Sequence, residues 1–385
     1  MMLELVDPPV TYVQIIQAAL IPAILYYTAL LLTVHFHAQK VGAGSESDLQ
    51  KGKEETLDEG RDTFDASQGI VFFGSFVILI AMLVKGFTPF RAVSVSLIGI
   101  LALSMFSSHT RLGFGRILQA LVGAARGGVA LIVAASCVGI ILGVVDLTGL
   151  GAALPAKIQA FAGDNAIMAL LLLMVSTIVL GMGLPSAVCY LLMAILVGSV
   201  LKTLNTPPLA AHLFIFYFGM MSMVTPPVAL AAYAAAAISK GNVMGTALAA
   251  FRFSLVGFAL PFAFVLKPEL LMLTAENEPA GWLAIVEAVA IVGVATVGLS
   301  AAIAGFAGSR LNWLTRGAWF GLSLLIFFTR DSGFQWWLQV GAAVILLVWL
   351  VIQLRWVAAQ KNARRQQPAG ESVSISQGDG SQADR

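Results

Sequence analysis

Two short breaks interrupt apolar stretches of this chain that are long enough to cross a bilayer. The first reads Gly-Met-Gly-Leu-Pro-Ser at 181–186, and the second reads Ser-Met-Val-Thr-Pro-Pro at 222–227. Glycine permits backbone angles closed to other residues, and proline lacks an N–H and disfavours helix in the residue before it. A helix broken inside hydrocarbon survives only where protein or a polar cavity satisfies its freed backbone groups. The two breaks therefore predict a binding site.

The chemistry that these breaks offer is ion binding. Pro185 suits the first turn of a new helix, whose free N–H groups and positive dipole end favour an anion. Thr225 precedes two prolines, so we expect an unwound turn whose carbonyl and hydroxyl oxygens face the same gap, with Ser222 one turn upstream. Oxygens of that kind suit a hard cation such as sodium. The alternative, that proline and glycine only kink two helices, stays open.

The composition predicts an all-α, polytopic membrane protein surrounded by lipid. The 385 residues are 59% hydrophobic and 11% charged, with a mean hydropathy of +0.90, whereas roughly a quarter of the residues in soluble domains are charged. A net charge of +2 without a clustered basic face argues against nucleic-acid binding. Cys137 and Cys189 lie in apolar segments without a CxxC motif, so we expect packing roles and neither a cofactor nor a metal cluster.

Ten apolar segments approach the roughly 20 residues that a spanning helix needs. They are 18–36, 70–87, 92–106, 128–145, 166–201 across the first break, 209–238 across the second, 245–266, 282–306, 311–328 and 336–356. The predicted divisions are an N-terminal helix with a polar loop (1–69), scaffold-like helices (70–116), a transport half with both breaks (117–270), additional C-terminal helices (271–360) and a disordered tail (361–385).

Basic residues near the segment ends predict the orientation in the membrane. The last segment is followed by a basic stretch at 355–365, so the tail should be cytoplasmic. Counting back, the loop at 308–316 lies inside and the acidic connection at 268–279 lies outside. Arg252 then falls near the cytoplasmic end of its segment, where its side chain can reach the interface.

Three motifs carry a resemblance to a known family. The GMGLP at 181–185, the PPLAAHLF at 207–214 and the TPPVALAAY at 225–233 resemble the second half of the large membrane subunit of tripartite ATP-independent periplasmic (TRAP) transporters, in the fused variant paired with TAXI-type binding proteins. The likeness covers 18–271. It implies an elevator-type secondary transporter in the bacterial inner membrane. In that family a periplasmic substrate-binding protein delivers an organic acid, and a sodium gradient drives uptake through two inverted repeats.

The resemblance also implies roles for individual residues. The first break becomes the tip of a re-entrant hairpin, and the second becomes the centre of a broken helix. The implied sodium ligands are Gly181, Ser222 and Thr225. The implied substrate-binding residues are Gly183, Pro185, Ser186 and Pro226. The substrate class is a dicarboxylate, a keto acid or an amino acid.

The family's first repeat and its small subunit would precede Met1, so the chain is expected to be the C-terminal half of a permease. Its expected partners are the periplasmic binding protein and the missing N-terminal half or small membrane subunit. The face that meets this missing part is expected to be polar and rich in small residues. The expected members of that face are Gly127, Gly128, Ser136, Ser176 and Thr177.

Two other functions are compatible with the residues. An intramembrane serine hydrolase would use Ser186 as nucleophile and His212 as base. The sequence lacks a Gly-x-Ser-x-Gly elbow and a recognisable set of oxyanion donors, which disfavours this alternative. A membrane scaffold without transport activity is the other alternative.

Overall fold

The computed structural model describes residues 2–42, 66–105, 113–163, 165–203, 206–329 and 334–366. Within them the regular structure is helical, apart from two isolated β-bridges that join Leu273 to Pro279 and Phe306 to Arg310. Four described helices are long and apolar enough to cross a membrane, at Tyr12–Val41, Val243–Leu266, Trp282–Ala304 and Phe334–Gln353, and shorter apolar helices accompany them. The predicted all-α, polytopic membrane fold is confirmed.

The first part of the chain forms helices α1 (Met2–Leu5), α2 (Tyr12–Val41), α3 (Ala66–Val84), α4 (Pro89–Ser104), α5 (Phe114–Thr148) and α6 (Leu150–Ala162). α3 and α4 pack together as a hairpin. α5 begins well before the expected residue 128, and α6 was not predicted. Gly149, with φ +70°, makes the sharp turn that lets α6 start directly after α5.

The central part contains both breaks. α7 (Ala166–Gly181) and α8 (Ser186–Thr203) are the arms of a helical hairpin; we call 181–186, where one arm ends and the other begins, the hairpin tip. α9 (Pro208–Met221) continues into a 3-10 turn (Ser222–Val224), and α10 (Leu230–Ser239) follows; we call 222–229 the helix break. α7, α8 and α9 pack against one another. The helices are therefore interrupted at both predicted positions.

The C-terminal part consists of α11 (Val243–Leu266), a 3-10 turn (Pro268–Leu271), α12 (Trp282–Ala304), α13 (Trp313–Phe328) and α14 (Phe334–Gln366). α12 packs against α2, α11, α13 and α14, and one apolar core runs from α2 through the hairpin to α14. The fully buried Lys267 donates hydrogen bonds of 2.9 and 3.0 Å to the carbonyls of Ile326 and Thr329, at the end of α13. The tail beyond 366 lies outside the described residues.

The hairpin enters and leaves from one side of the bundle. Asn165, which caps α7, lines a cavity together with Leu266 at the end of α11. Leu209, near the start of α9, lines another with Leu271 of the following turn. α8 ends only a short connection before α9 begins, so it ends on this side as well. The acidic connection at 268–279 lies at the same end of the bundle, which the charge pattern predicts to face outside.

Candidate substrate and ion site

The hairpin tip is a tight turn that depends on glycine. α7 ends at Gly181, whose carbonyl accepts a hydrogen bond of 3.1 Å from the N–H of Leu184. Gly183 has φ +79°, in the left-handed region that side chains with a Cβ rarely adopt. α8 begins at Ser186, directly after Pro185. The tip therefore ends one helix and starts another within four residues.

The helix break is an extended turn around Thr225. This residue has φ −91° and ψ 124°, as expected before a proline. Its hydroxyl donates to the carbonyl of Met221 at 2.7 Å, and its carbonyl accepts from the N–H of Ala229 at 3.1 Å. Regular helix resumes at Leu230. Thr225 thus places a hydroxyl and a carbonyl within an interrupted helix.

Ser222 joins the hairpin tip to the helix break. Its hydroxyl oxygen lies 3.0 Å from the carbonyl oxygen of Gly181 and 2.7 Å from that of Gly219. The side chain is 1% exposed. The Ser222 hydroxyl shares its single proton between these two acceptors. The site therefore brings together three neutral oxygens, the hydroxyl and the two carbonyls, from two interrupted segments. Hard cations are bound in proteins by oxygens of this kind.

Close packing around Cys189 brings these segments together. A Cβ on Gly181 would stand 2.4 Å from the sulfur of Cys189 and 3.1 Å from the hydroxyl of Ser222, and a Cβ on Gly219 would stand 3.2 Å from the same sulfur. Both glycines are therefore needed for the contact. The predicted packing role of Cys189 is confirmed, whereas Cys137 is exposed and the same prediction for it is wrong.

The helix break lies beside the middle of a membrane-length helix. A Cβ on Gly257, near the centre of α11, would stand 3.2 Å from the methyl carbon of Met221, the last residue of α9. α9 and α10 both pack along α11, which is long enough to span a bilayer. The two breaks therefore meet within contact distance, as predicted. Their expected position near the membrane midplane stays a prediction.

Thr177 is a candidate ligand that sequence reasoning assigned to the wrong environment. We expected it on an exposed face, yet it is fully buried. Its hydroxyl has no hydrogen-bond partner among the described residues. It lies one turn before Gly181 on α7, so both point to the same side of the helix. The i, i+4 spacing from Thr177 to Gly181 was the available signal. A buried hydroxyl without a partner costs free energy, and a bound cation would relieve that cost.

The other residues expected on the exposed face behave differently. Ser136 is exposed, with its hydroxyl bonded to the carbonyl of Ile132 in its own helix, and Ser176 is half-buried. Gly127 and Gly128 lie outside the residues whose surroundings are described.

The four residues predicted to bind substrate line the two breaks. Pro185, Ser186 and Pro226 are half-buried, and Gly183 is exposed. A Cβ on Gly183 would stand 3.6 Å from a methyl carbon of Val228, so the tip faces the helix break. The N–H groups of Val188 and Cys189 bond the carbonyl of Pro185, which leaves those of Ser186 and Ala187 at the start of α8 for an anionic group.

His212 is paired with a tyrosine. Its Nδ1 lies 2.9 Å from the hydroxyl of Tyr190, which is one turn after Ser186 on α8. The two rings are tilted, with centroids 6.0 Å apart. This contact connects α8 to α9 and gives no support to a Ser186–His212 nucleophile and base.

Comparison with known proteins finds a matching family model. It matches residues 2–278, most of the chain, and is described as the tripartite ATP-independent periplasmic transporter, DctM component. No curated protein and no solved structure matches the chain.

Proposed function

Because the chain belongs to the DctM family of tripartite ATP-independent periplasmic transporters, we propose that it is a sodium-coupled permease for organic acids. Membership makes it a membrane permease component of a transporter in the inner membrane, and not an enzyme. Such a component works with a periplasmic substrate-binding protein and a small membrane subunit. The serine hydrolase alternative is therefore set aside.

The contact between Ser222 and Gly181 carries the proposal of an ion site. It brings carbonyl and hydroxyl oxygens of the hairpin tip and the helix break together in a buried place. Thr177 adds a buried hydroxyl without a partner among the described residues. Thr225, one turn after Ser222, adds a half-buried hydroxyl that donates to the carbonyl of Met221. These groups carry no formal charge, so a sodium ion bound among them would bring its full positive charge into the site.

That charge provides a reason for coupling. In a low-dielectric interior, a bound cation attracts a nearby anion much more strongly than in water. The start of α8 offers the N–H groups of Ser186 and Ala187 and the positive end of a helix dipole to the same gap, while the next two N–H groups bond the carbonyl of Pro185. A carboxylate would therefore bind better once sodium is present. This favours organic acids as substrates, either dicarboxylates, keto acids or amino acids.

We further propose that a second, inverted repeat completes the cavity and that the delivering protein is of the TAXI type. One hairpin and one broken helix provide one side of a transport site. Along α5, large apolar side chains such as Leu118, Ile132 and Ile140 are 52%, 66% and 69% exposed. These surfaces need a partner of protein or lipid. A second repeat, in this or another polypeptide, would cover part of them.

Uptake by the complete assembly tests the proposal. The chain is reconstituted in proteoliposomes with its membrane partners and binding protein, and entry of a labelled organic acid is followed under an inward sodium gradient. We expect uptake under sodium and little under an equal potassium gradient. Equal uptake with either cation would contradict sodium coupling, and no uptake of any organic acid would favour the scaffold alternative.

A further inference from the structure

Three cations converge on the C-terminal end of α12, at the end of the bundle opposite the acidic connection. Lys40 of α2, Arg252 of α11 and Arg316 of α13 donate hydrogen bonds to the last carbonyl groups of this helix, those of residues 302–304. The donor to acceptor distances are 2.9, 2.8 and 2.6 Å in that order. The C-terminal end of a helix carries a partial negative charge, which explains why cations gather there.

The helix end cannot balance this charge. Its dipole is equivalent to about half an elementary charge, against three full positive charges. A Cβ on Gly305 would stand 3.0 Å from the Lys40 nitrogen and 3.8 Å from a guanidinium nitrogen of Arg316, so the two cations are close neighbours. Arg310 adds its repulsion to Lys40. Within the described part of the chain, these cations form no ion pair with a carboxylate.

An amphipathic cavity of about 550 Å³ lies next to this cluster. Arg252 and Arg316 form its polar part. Its apolar lining includes Leu255, Leu311, Trp313 and Phe320. The indole of Trp313 is 80% exposed, as is common for tryptophan at the headgroup level of a membrane.

The charge pattern places this cavity at the cytoplasmic side. α12 runs from the acidic connection, on the outer side, to Gly305, and the basic residues after α14 favour the same inner side for its far end. Anionic lipids in the inner leaflet attract basic residues near the surface. A ligand with a negative head and an apolar body matches both parts of the lining.

We propose that this cavity binds the phosphate group of an anionic phospholipid from the inner leaflet. Guanidinium groups bind phosphate through paired N–H donors, and Arg252 and Arg316 retain donors beyond those used for the α12 carbonyls. The acyl chains lie against the apolar lining. Inorganic phosphate shares the headgroup chemistry but gains nothing from that lining, which is why a lipid is the ligand. The bound headgroup offsets the repulsion among the cations and holds α2, α11 and α13 at the end of α12.

Lipid binding to the purified, full-length chain tests this proposal. The dissociation constant of short-chain phosphatidylglycerol is measured in neutral detergent by native mass spectrometry, with phosphatidylcholine of equal chain length as the neutral lipid. The double variant R252Q/R316Q keeps side-chain N–H donors and removes two charges. We expect its dissociation constant for phosphatidylglycerol to be about 30-fold higher than that of the natural chain. The matched control K240Q/R116Q removes two exposed cations outside the cavity and should change the constant by less than about twofold.

The remaining measurements distinguish a loss of charge from a folding defect, and a lipid from other anions. R252K/R316K keeps both charges but loses the paired guanidinium donors, so it should restore part of the affinity, which a folding defect in R252Q/R316Q would not explain. Equal affinity for phosphatidylcholine, or an unchanged constant in R252Q/R316Q, would overturn the proposal. Stabilisation of the chain by inorganic phosphate as strong as that by phosphatidylglycerol would assign the site to a free anion. Tighter lipid binding after neutralising the acidic residues of 46–65 would mean that these carboxylates occupy the cavity in the natural chain, and the cavity would then be assigned to that segment and not to a lipid.

Discussion

The hydroxyl of Ser222 lies 3.0 Å from the carbonyl oxygen of Gly181, although 41 positions separate the two residues in the chain. Each residue stands at the point where its own helix is interrupted. The contact therefore joins the hairpin tip to the helix break, and the proposed ion site is built around it.

Replacing Ser222 by alanine should weaken the connection between the two breaks. The variant loses the hydrogen bonds to Gly181 and Gly219, and we expect a loss of about 1 kcal/mol in stability. Thermal or denaturant unfolding of the purified chain in detergent measures this loss. Ser94→Ala is the control, because its exposed hydroxyl bonds only a carbonyl of its own helix. Equal stability of Ser222→Ala and the natural chain would show that the contact is unimportant.

Replacing Thr225 by alanine should affect sodium dependence more than Ser222→Ala does. Thr225 lies in the extended turn, and we expect the sodium concentration for half-maximal uptake to rise at least about tenfold. Thr296→Ala is a close control, since the hydroxyls of Thr225 and Thr296 both bond the carbonyl four residues earlier, at 2.7 and 2.8 Å. An unaltered sodium response in Thr225→Ala would remove this residue from the site.

Gly181 should not tolerate a methyl group. In Gly181→Ala the new carbon would overlap the sulfur of Cys189, and overpacking of this kind costs about 1–3 kcal/mol. We expect uptake to fall about tenfold or more, and Gly181→Ala/Cys189→Ala to recover part of it. Gly293→Ala, on α12, is the control, since nothing lies within 4 Å of its added carbon. Normal uptake by Gly181→Ala would mean that the close packing has no functional role.

Substitutions of Gly183 should be limited by the backbone conformation of this residue and not by the space around it. Its added carbon would make only an ordinary contact with Val228, but φ +79° costs a side chain about 1–2 kcal/mol. Because asparagine enters this conformation more readily than valine does, Gly183→Asn should retain more uptake than Gly183→Val. The opposite ranking, measured at equal protein levels in the membrane, would contradict the importance of this turn.

Local chemistry made the breaks predictable from the sequence, because glycine and proline act on their own backbone. The same holds for the apolar helices, whose length and composition indicate the membrane. The burial of Thr177 and the cation cluster at the end of α12 depend on which helices pack together, and residues far apart in the chain contribute to them. α6 was not predicted because Gly151 and Pro155 both have low helix propensity. The division of the chain at 69, 116, 270 and 360 stays a prediction.

Simultaneous measurement of sodium and substrate entry tests the central claim most directly. Radioactive sodium and a labelled organic acid are followed together in proteoliposomes that contain the complete assembly with either the natural chain or Thr225→Ala. We predict that the natural chain carries sodium and acid inward in a fixed ratio, and that Thr225→Ala loses entry of both together at low sodium. Entry of the acid without sodium, or identical coupled entry by both chains, would contradict an ion site at the hairpin tip and helix break.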